Sequence, residues 1–182
     1  LSMVSASSAW PVCPNCTFAE SELPQNSLVP VKAGHVDATK SWDSAYYGWD
    51  NEYGEHQAQV NEFKAAKFLV SNGEFLDFVE EGGYQNPDYW EEEGNRWREY
   101  TKASHPVFWR KADEGYVYRS MLSEMPLPLD WPVDVNYHEA KAFCNYKSEK
   151  TGQLIRLPTE NEWFRLRDFS GVNQPVYSSE FN

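Results

Sequence analysis

Three stretches of the chain repeat apolar residues at spacings of three and four, and each is preceded by the residue pair that starts a helix. Ser71 and Glu74 lie three apart, ahead of Phe75, Leu76, Phe78 and Val79, and Gly82 and Gly83 follow. Such a pair forms a capping box, in which each side chain satisfies a free amide of the first turn. Glycine after the stripe supplies a left-handed stop. Asn136 and Glu139 repeat the spacing before Ala140, Phe143 and Cys144, with Gly152 as terminator. Thr159 and Glu162 do so again behind Pro158, with Trp163 and Leu166 on one face. The pattern predicts three capped helices.

Alternation is weaker. Val29, Val31 and Ala33 suit a short strand ending at Gly34, residues 57–63 a second one leading into 67–70, and Tyr116 with Tyr118 a third. Residues 41–54 mix aromatics with turn formers and read as an ordered loop, whereas 84–131 show no sustained period. These elements indicate one α+β domain over residues 29–169. A Pro- and Ser-rich lead-in occupies 1–28, and a tail without assigned structure occupies 170–182.

Composition narrows the picture. Of 182 residues 16% are aromatic, including 8 Trp and 11 Tyr, which a disordered chain lacks. Mean hydropathy is nevertheless −0.71, as for a loop-rich domain whose core is built of large amphipathic rings. A formal charge of −12 argues against nucleic acid or an anionic membrane as partner. No apolar run is long enough to cross a bilayer, and Leu1 to Ala9 do not resemble a secretory signal. Three cysteines make an odd count, so a disulfide framework is not expected and a reducing, cytoplasmic setting is.

Few residues carry chemistry on their own. His35, His56, His105 and His138 never fall three or four apart, so none is assigned to metal. Cys13 and Cys16 have metal-knuckle or redox spacing but no mates, and read as reduced thiols in the lead-in. Cys144 sits on an apolar stripe as a core thiol. Trp49, Asp50, Asn51 and Glu52 either line a pocket or pin their own loop, with Trp49 and Tyr53 packing beside them. Arg156 with Glu160 or Glu162 reads as a partly buried ion pair that, with Thr159 and Trp163, fixes the third helix. Glu91, Glu92 and Glu93 read as a solvated face. The rings between Tyr84 and Trp109 serve as core, as packing between domains, or as a pocket lining.

Several of these stretches resemble one family. Gly48-Trp49-Asp50-Asn51-Glu52, Ser71-Asn72-Gly73-Glu74-Phe75, Gly82-Gly83-Tyr84 with Trp90, and His105-Pro106-Val107-Phe108-Trp109 are similar to successive signatures of formylglycine-generating-enzyme-like (sulfatase-modifying-factor) domains. So are Pro132-Val133 through Glu139-Ala140, and Arg156-Leu157-Pro158-Thr159-Glu160-Asn161-Glu162-Trp163. Tyr47 through Gly54 bring the chain nearest to the 5-histidylcysteine sulfoxide synthases of ovothiol biosynthesis.

The resemblance implies the N-terminal half of a C-type-lectin-like fold. It also implies a parent enzyme that uses iron(II) and oxygen to join cysteine to histidine. Iron ligands would come from elsewhere in the parent, leaving no catalytic, cofactor or metal residue in this chain. The expected partners are the remainder of its polypeptide or another protein chain, with cysteine and histidine as the parent's small-molecule substrates. Two alternatives follow from the same scaffold: an oxidase that makes formylglycine in sulfatases, and a non-catalytic binding module.

Overall fold

A computed structural model describes residues 25–45, 47–121 and 123–171, and the pair Cys13 and Cys16 lies outside them. The fold is mixed α and β. Leu28–Val31 (β1) and Gly34–Asp37 (β2) run antiparallel to Gln57–Val60 (β3) and Phe63–Ala66 (β4). β1 pairs with β4 and β2 with β3, from Leu28 opposite Ala66 to Asp37 opposite Gln57. A further bridge between Lys40 and Gly54 extends the pairing. The four strands are therefore one long two-stranded ribbon, interrupted at residues 32–33, with 41–45 and 47–53 at its tip.

The interruption changes which residues face inward. Val31 and Val36 are five apart and would point to opposite sides of a regular strand, yet both are buried, as is Val60. Strand alternation alone placed a single strand ending at Gly34; the structure instead begins β2 there. An isolated two-stranded ribbon is marginal in water, and this one is backed by the helix Glu160–Ser170 (α4), which packs on β1, β2 and β3. Residues 57–66 likewise form two strands, β3 and β4, where the sequence suggested one.

The other layer holds the main core. Asn72–Glu80 (α1), Glu92–Thr101 (α2) and Tyr137–Thr151 (α3) pack around Phe75, Phe78, Tyr84, Tyr89, Trp90, Trp109, Phe143 and Tyr146. Phe78 is fully buried at the centre, with Phe75, Tyr84, Tyr89, Trp90, Phe143 and Tyr146 all within 6.4 Å between ring centroids. Edge-on and tilted pairs of this kind suit the ring quadrupole. The rings between Tyr84 and Trp109 thus divide: Tyr84, Tyr89, Trp90 and Trp109 are core, while Tyr100 is 90% exposed. A three-stranded antiparallel sheet, Trp109–Lys111 (β5), Tyr116–Arg119 (β6) and Glu124–Pro126 (β7), presents Trp109, Tyr116 and Tyr118 to this layer.

All three capping boxes form, at Ser71/Glu74, Asn136/Glu139 and Thr159/Glu162. Helix α2 is the addition to the predicted set. Only Gly94 in it is buried, and its one ring on the core side, Trp97, makes no stripe to read. Glycine at 83 has a packing reason: a Cβ there would come within 2.1 Å of the Phe78 ring. Asn72, buried at a helix start, donates to Pro128 O at 2.8 Å, and its side-chain oxygen accepts from Trp109 Nε1 at 3.3 Å. It ties the loop after β7 to α1.

Candidate functional site

Lys40 and Glu52 build the ribbon tip. The Lys40 ammonium donates to Tyr47 O at 2.9 Å and to the Glu52 carboxylate at 3.1 Å, and it lies 5.1 Å from the Tyr53 ring centroid. Tyr53 in turn stacks on Trp42 at 4.3 Å. Gly48 leaves room for this: a Cβ would sit 2.2 Å from Lys40 Nζ and 2.7 Å from Glu52 Oε2. Asp50–Glu52 form a 3₁₀ turn in which Asp50 Oδ1 accepts from Asn51 N. Asp50 and Glu52 thus bond locally, Asp50 to the Asn51 amide and Glu52 to Lys40. Trp49, expected to pack beside them, is 66% exposed and meets the edge of the Tyr47 ring. Sequence reasoning passed over Lys40 and gave Gly48 no packing role. Their signal was available, since Lys40 is the one cation bordering an acidic, aromatic run.

The Arg156 segment leads into α4, whose start meets the base of the tip. Arg156 forks onto Glu162 at 2.6 and 2.7 Å, and Glu162 is held down to about 2, first by that hydrogen bond and also by the Thr159 backbone. Glu160 is exposed and is not the partner. The pair is less buried than expected, because the Arg156 side chain keeps 49% of its surface and Glu162 13%. Trp163 is 54% exposed and adds no core packing. His56 Nε2 meets Asn161 Oδ1 at 2.7 Å, tying the base of the tip to the start of α4.

Inside the core, Tyr84 donates to Glu139 at 2.5 Å while Glu139 closes the α3 capping box. Burial raises Glu139 above the usual carboxylate range and raises Tyr84 strongly, the neighbouring carboxylate adding to the latter. A buried carboxylate held by a tyrosine and a backbone amide is a structural anchor. Cys144 is buried, and burial pushes its thiol up, as suits a core residue. His138 is more involved than an exposed first-turn residue: it stacks on Trp97 at 6.1 Å.

Cavities among the described residues are shallow. One of about 280 Å³ is lined by Phe68, Leu69, Glu74 and Pro132 among others, and one of about 460 Å³ by Phe108, Arg119, Met121 and Glu124 among others. In the first, Ser71 and Glu74 are engaged in the α1 capping box, and in the second Glu124 pairs with Arg110. Among the described residues no three of His, Cys, Asp or Glu come together as a metal-holding group, and no helix is long and apolar enough to cross a membrane.

Residues 15–170 match the sulfatase-modifying factor enzyme 1-like domain. The chain is 34% identical to the hercynine oxygenase of Mycobacterium tuberculosis over 115 residues, covering 63% of this chain and 25% of that protein. It is 31% identical to ergothioneine biosynthesis protein 1 of Schizosaccharomyces pombe over 139 residues, 74% of this chain and 15% of that protein. The hercynine oxygenase of Mycolicibacterium thermoresistibile shares 33% over 118 residues, 64% of this chain and 24% of that protein. The chain thus spans a quarter or less of the length of these relatives. It belongs to the sulfatase-modifying factor enzyme 1-like family.

Proposed function

From that membership we propose that the chain is part of an iron(II)- and oxygen-dependent sulfoxide synthase that joins cysteine to histidine, as in ovothiol or ergothioneine biosynthesis. Its share is scaffold and a section of the substrate-pocket wall, within a C-type-lectin-like domain over residues 29–169, in a cytoplasmic protein. The carrying observation is the 34% identity with a hercynine oxygenase over 115 residues.

The overall change is balanced by oxygen alone. The thiol S–H and an imidazole C–H are lost, a C–S bond forms, and one oxygen atom goes to sulfur and the other to water. Iron would supply oxygen activation, but the described residues do not fit it. His35 lies on β2, His56 before β3, His105 before β5 and His138 on α3, and no group of ligands assembles. No step of the reaction is therefore assigned to a residue of this chain. What these residues do is hold shape: the capping boxes and the aromatic core fix α1 and α3, and Lys40 fixes the tip.

The test is an assay of the natural polypeptide that contains this chain, with iron(II), oxygen, cysteine and either histidine or hercynine, the product read by mass spectrometry. A sulfoxide with histidine supports the ovothiol-type reading, and one with hercynine the ergothioneine type. No product with either imidazole refutes the proposal, and formylglycine made in a cysteine-containing sulfatase peptide replaces it with the oxidase reading.

A further inference from the structure

We infer that the ribbon tip, residues 41–45 and 47–55, is a docking surface for a basic protein segment whose arginines lie on its exposed rings. Trp42, Tyr47 and Trp49 are 71%, 78% and 66% exposed, three large rings within eight residues of sequence. They are not loose ends. Trp42 is stacked on Tyr53, Tyr47 is held through its carbonyl by Lys40, and Trp49 opens the 3₁₀ turn at Asp50–Glu52. The tip thus holds large apolar faces in water without using them in either packing layer. Tryptophan, tyrosine and arginine are the residues that dominate binding energy at protein interfaces.

Charge selects the partner. Residues 41–55 contain Asp43, Asp50, Glu52 and Glu55 and no Lys or Arg. Lys40, the nearest cation, is already engaged by Glu52. Asp43, Asp50 and Glu55 form no ion pair among the described residues. A guanidinium matches both features at once, since its plane stacks on an aromatic face while its donors fork onto a carboxylate. A lysine ammonium matches only the charge. In a chain of net charge −12, a second copy would bring one acidic tip against another, and nucleic acid would be repelled. The inference rests on exposure and charge alone and stands apart from the enzymatic reading.

Isothermal titration of the full chain tests it. The probe is a blocked hexapeptide, Gly-Arg-Leu-Arg-Gly-Arg, compared with versions carrying lysine or glutamate in place of each arginine. The arginine peptide is expected to bind once per chain, the lysine peptide more weakly and the glutamate peptide not at all, with binding weakened by 0.5 M salt. Trp49→Ala and Asp50→Asn should each weaken it by about three- to fivefold, the scale of an exposed cation–π or ion-pair contact. Trp163→Ala removes an exposed ring elsewhere and should change nothing, and circular dichroism confirms that each variant is folded. No binding of the arginine peptide at millimolar concentration overturns the inference. So does equal binding of the glutamate peptide, or an equal loss in Trp163→Ala. Concentration-dependent dimerisation in sedimentation velocity that Trp49→Ala abolishes would assign the surface to a second copy instead.

Discussion

The guanidinium of Arg165 lies directly over Gly34, so close that a Cβ on Gly34 would stand 2.6 Å from its central carbon. From there Arg165 Nε donates to Lys32 O at 2.9 Å and Nη2 to Ala33 O at 3.4 Å. These are the carbonyls at the interruption of the ribbon, where the ladder between β1 and β2 lapses. One side chain of α4 therefore both satisfies the break and holds the helix onto the strands.

Gly34→Ala should push Arg165 off Lys32 O and cost about 1 kcal/mol, the net worth of one partly exposed hydrogen bond. Arg165→Ala should cost a similar amount, and the double variant little more than either. Urea unfolding of the three proteins checks this; additive costs would mean that the two residues act separately.

Tyr84 and Glu139 make a second test. Tyr84→Phe leaves a buried carboxylate oxygen short of a donor and should destabilise by about 1–3 kcal/mol. Because burial raises the folded-state value of Glu139, the native state holds its proton to higher pH than the unfolded chain does. Its contribution is complete below the unfolded value near 4.5 and declines as pH rises through the raised one. Glu139→Gln removes that decline, so its stability relative to the parent should improve between pH 4 and pH 7 in denaturant midpoints.

The Arg156–Glu162 pair has the opposite sign. Glu162 is lowered to about 2, so its stabilisation is present above pH 4.5 and lost as pH falls from 4.5 towards 2. Arg156→Ala should flatten that acid limb. With half of the Arg156 side-chain surface in water, the cost at neutral pH is expected at about 1 kcal/mol or less, rather than the larger penalty of a buried pair. Thr159→Ala should cost about 1 kcal/mol through loss of the cap.

Phe78→Ala removes the ring on which the core is centred and should cost roughly 3–5 kcal/mol. Thermal unfolding reads this directly. A loss no larger than that of Trp163→Ala, on the exposed face of α4, would show the core to be placed wrongly.

The isolated chain, given iron(II), oxygen, cysteine and histidine, should form no sulfoxide above the iron-only background. Mass spectrometry of the products decides it. Product formation would mean that a ligand set exists outside the described residues.

What the sequence determined by itself was local and reciprocal. The three capping boxes were legible because each needs two residue types three apart, and Ser71, Asn136 and Thr159 find Glu74, Glu139 and Glu162 wherever the helices go. Family membership was legible for a related reason: runs such as Gly82-Gly83-Tyr84 are short and contiguous, and Gly83 answers to Phe78 only five residues away. Only the tertiary structure decided the rest. Helix α2 has one apolar ring on its core side, so no period announces it. The choice between Glu160 and Glu162 depended on which carboxylate the helix turned towards Arg156. Trp49 and Trp163 stayed exposed because the core was filled by other rings. Arg165 met Gly34 across 131 residues of chain, a contact that long-range folding alone creates. Spacing carries information over one or two helical turns; burial and partner choice are set by what packs from afar.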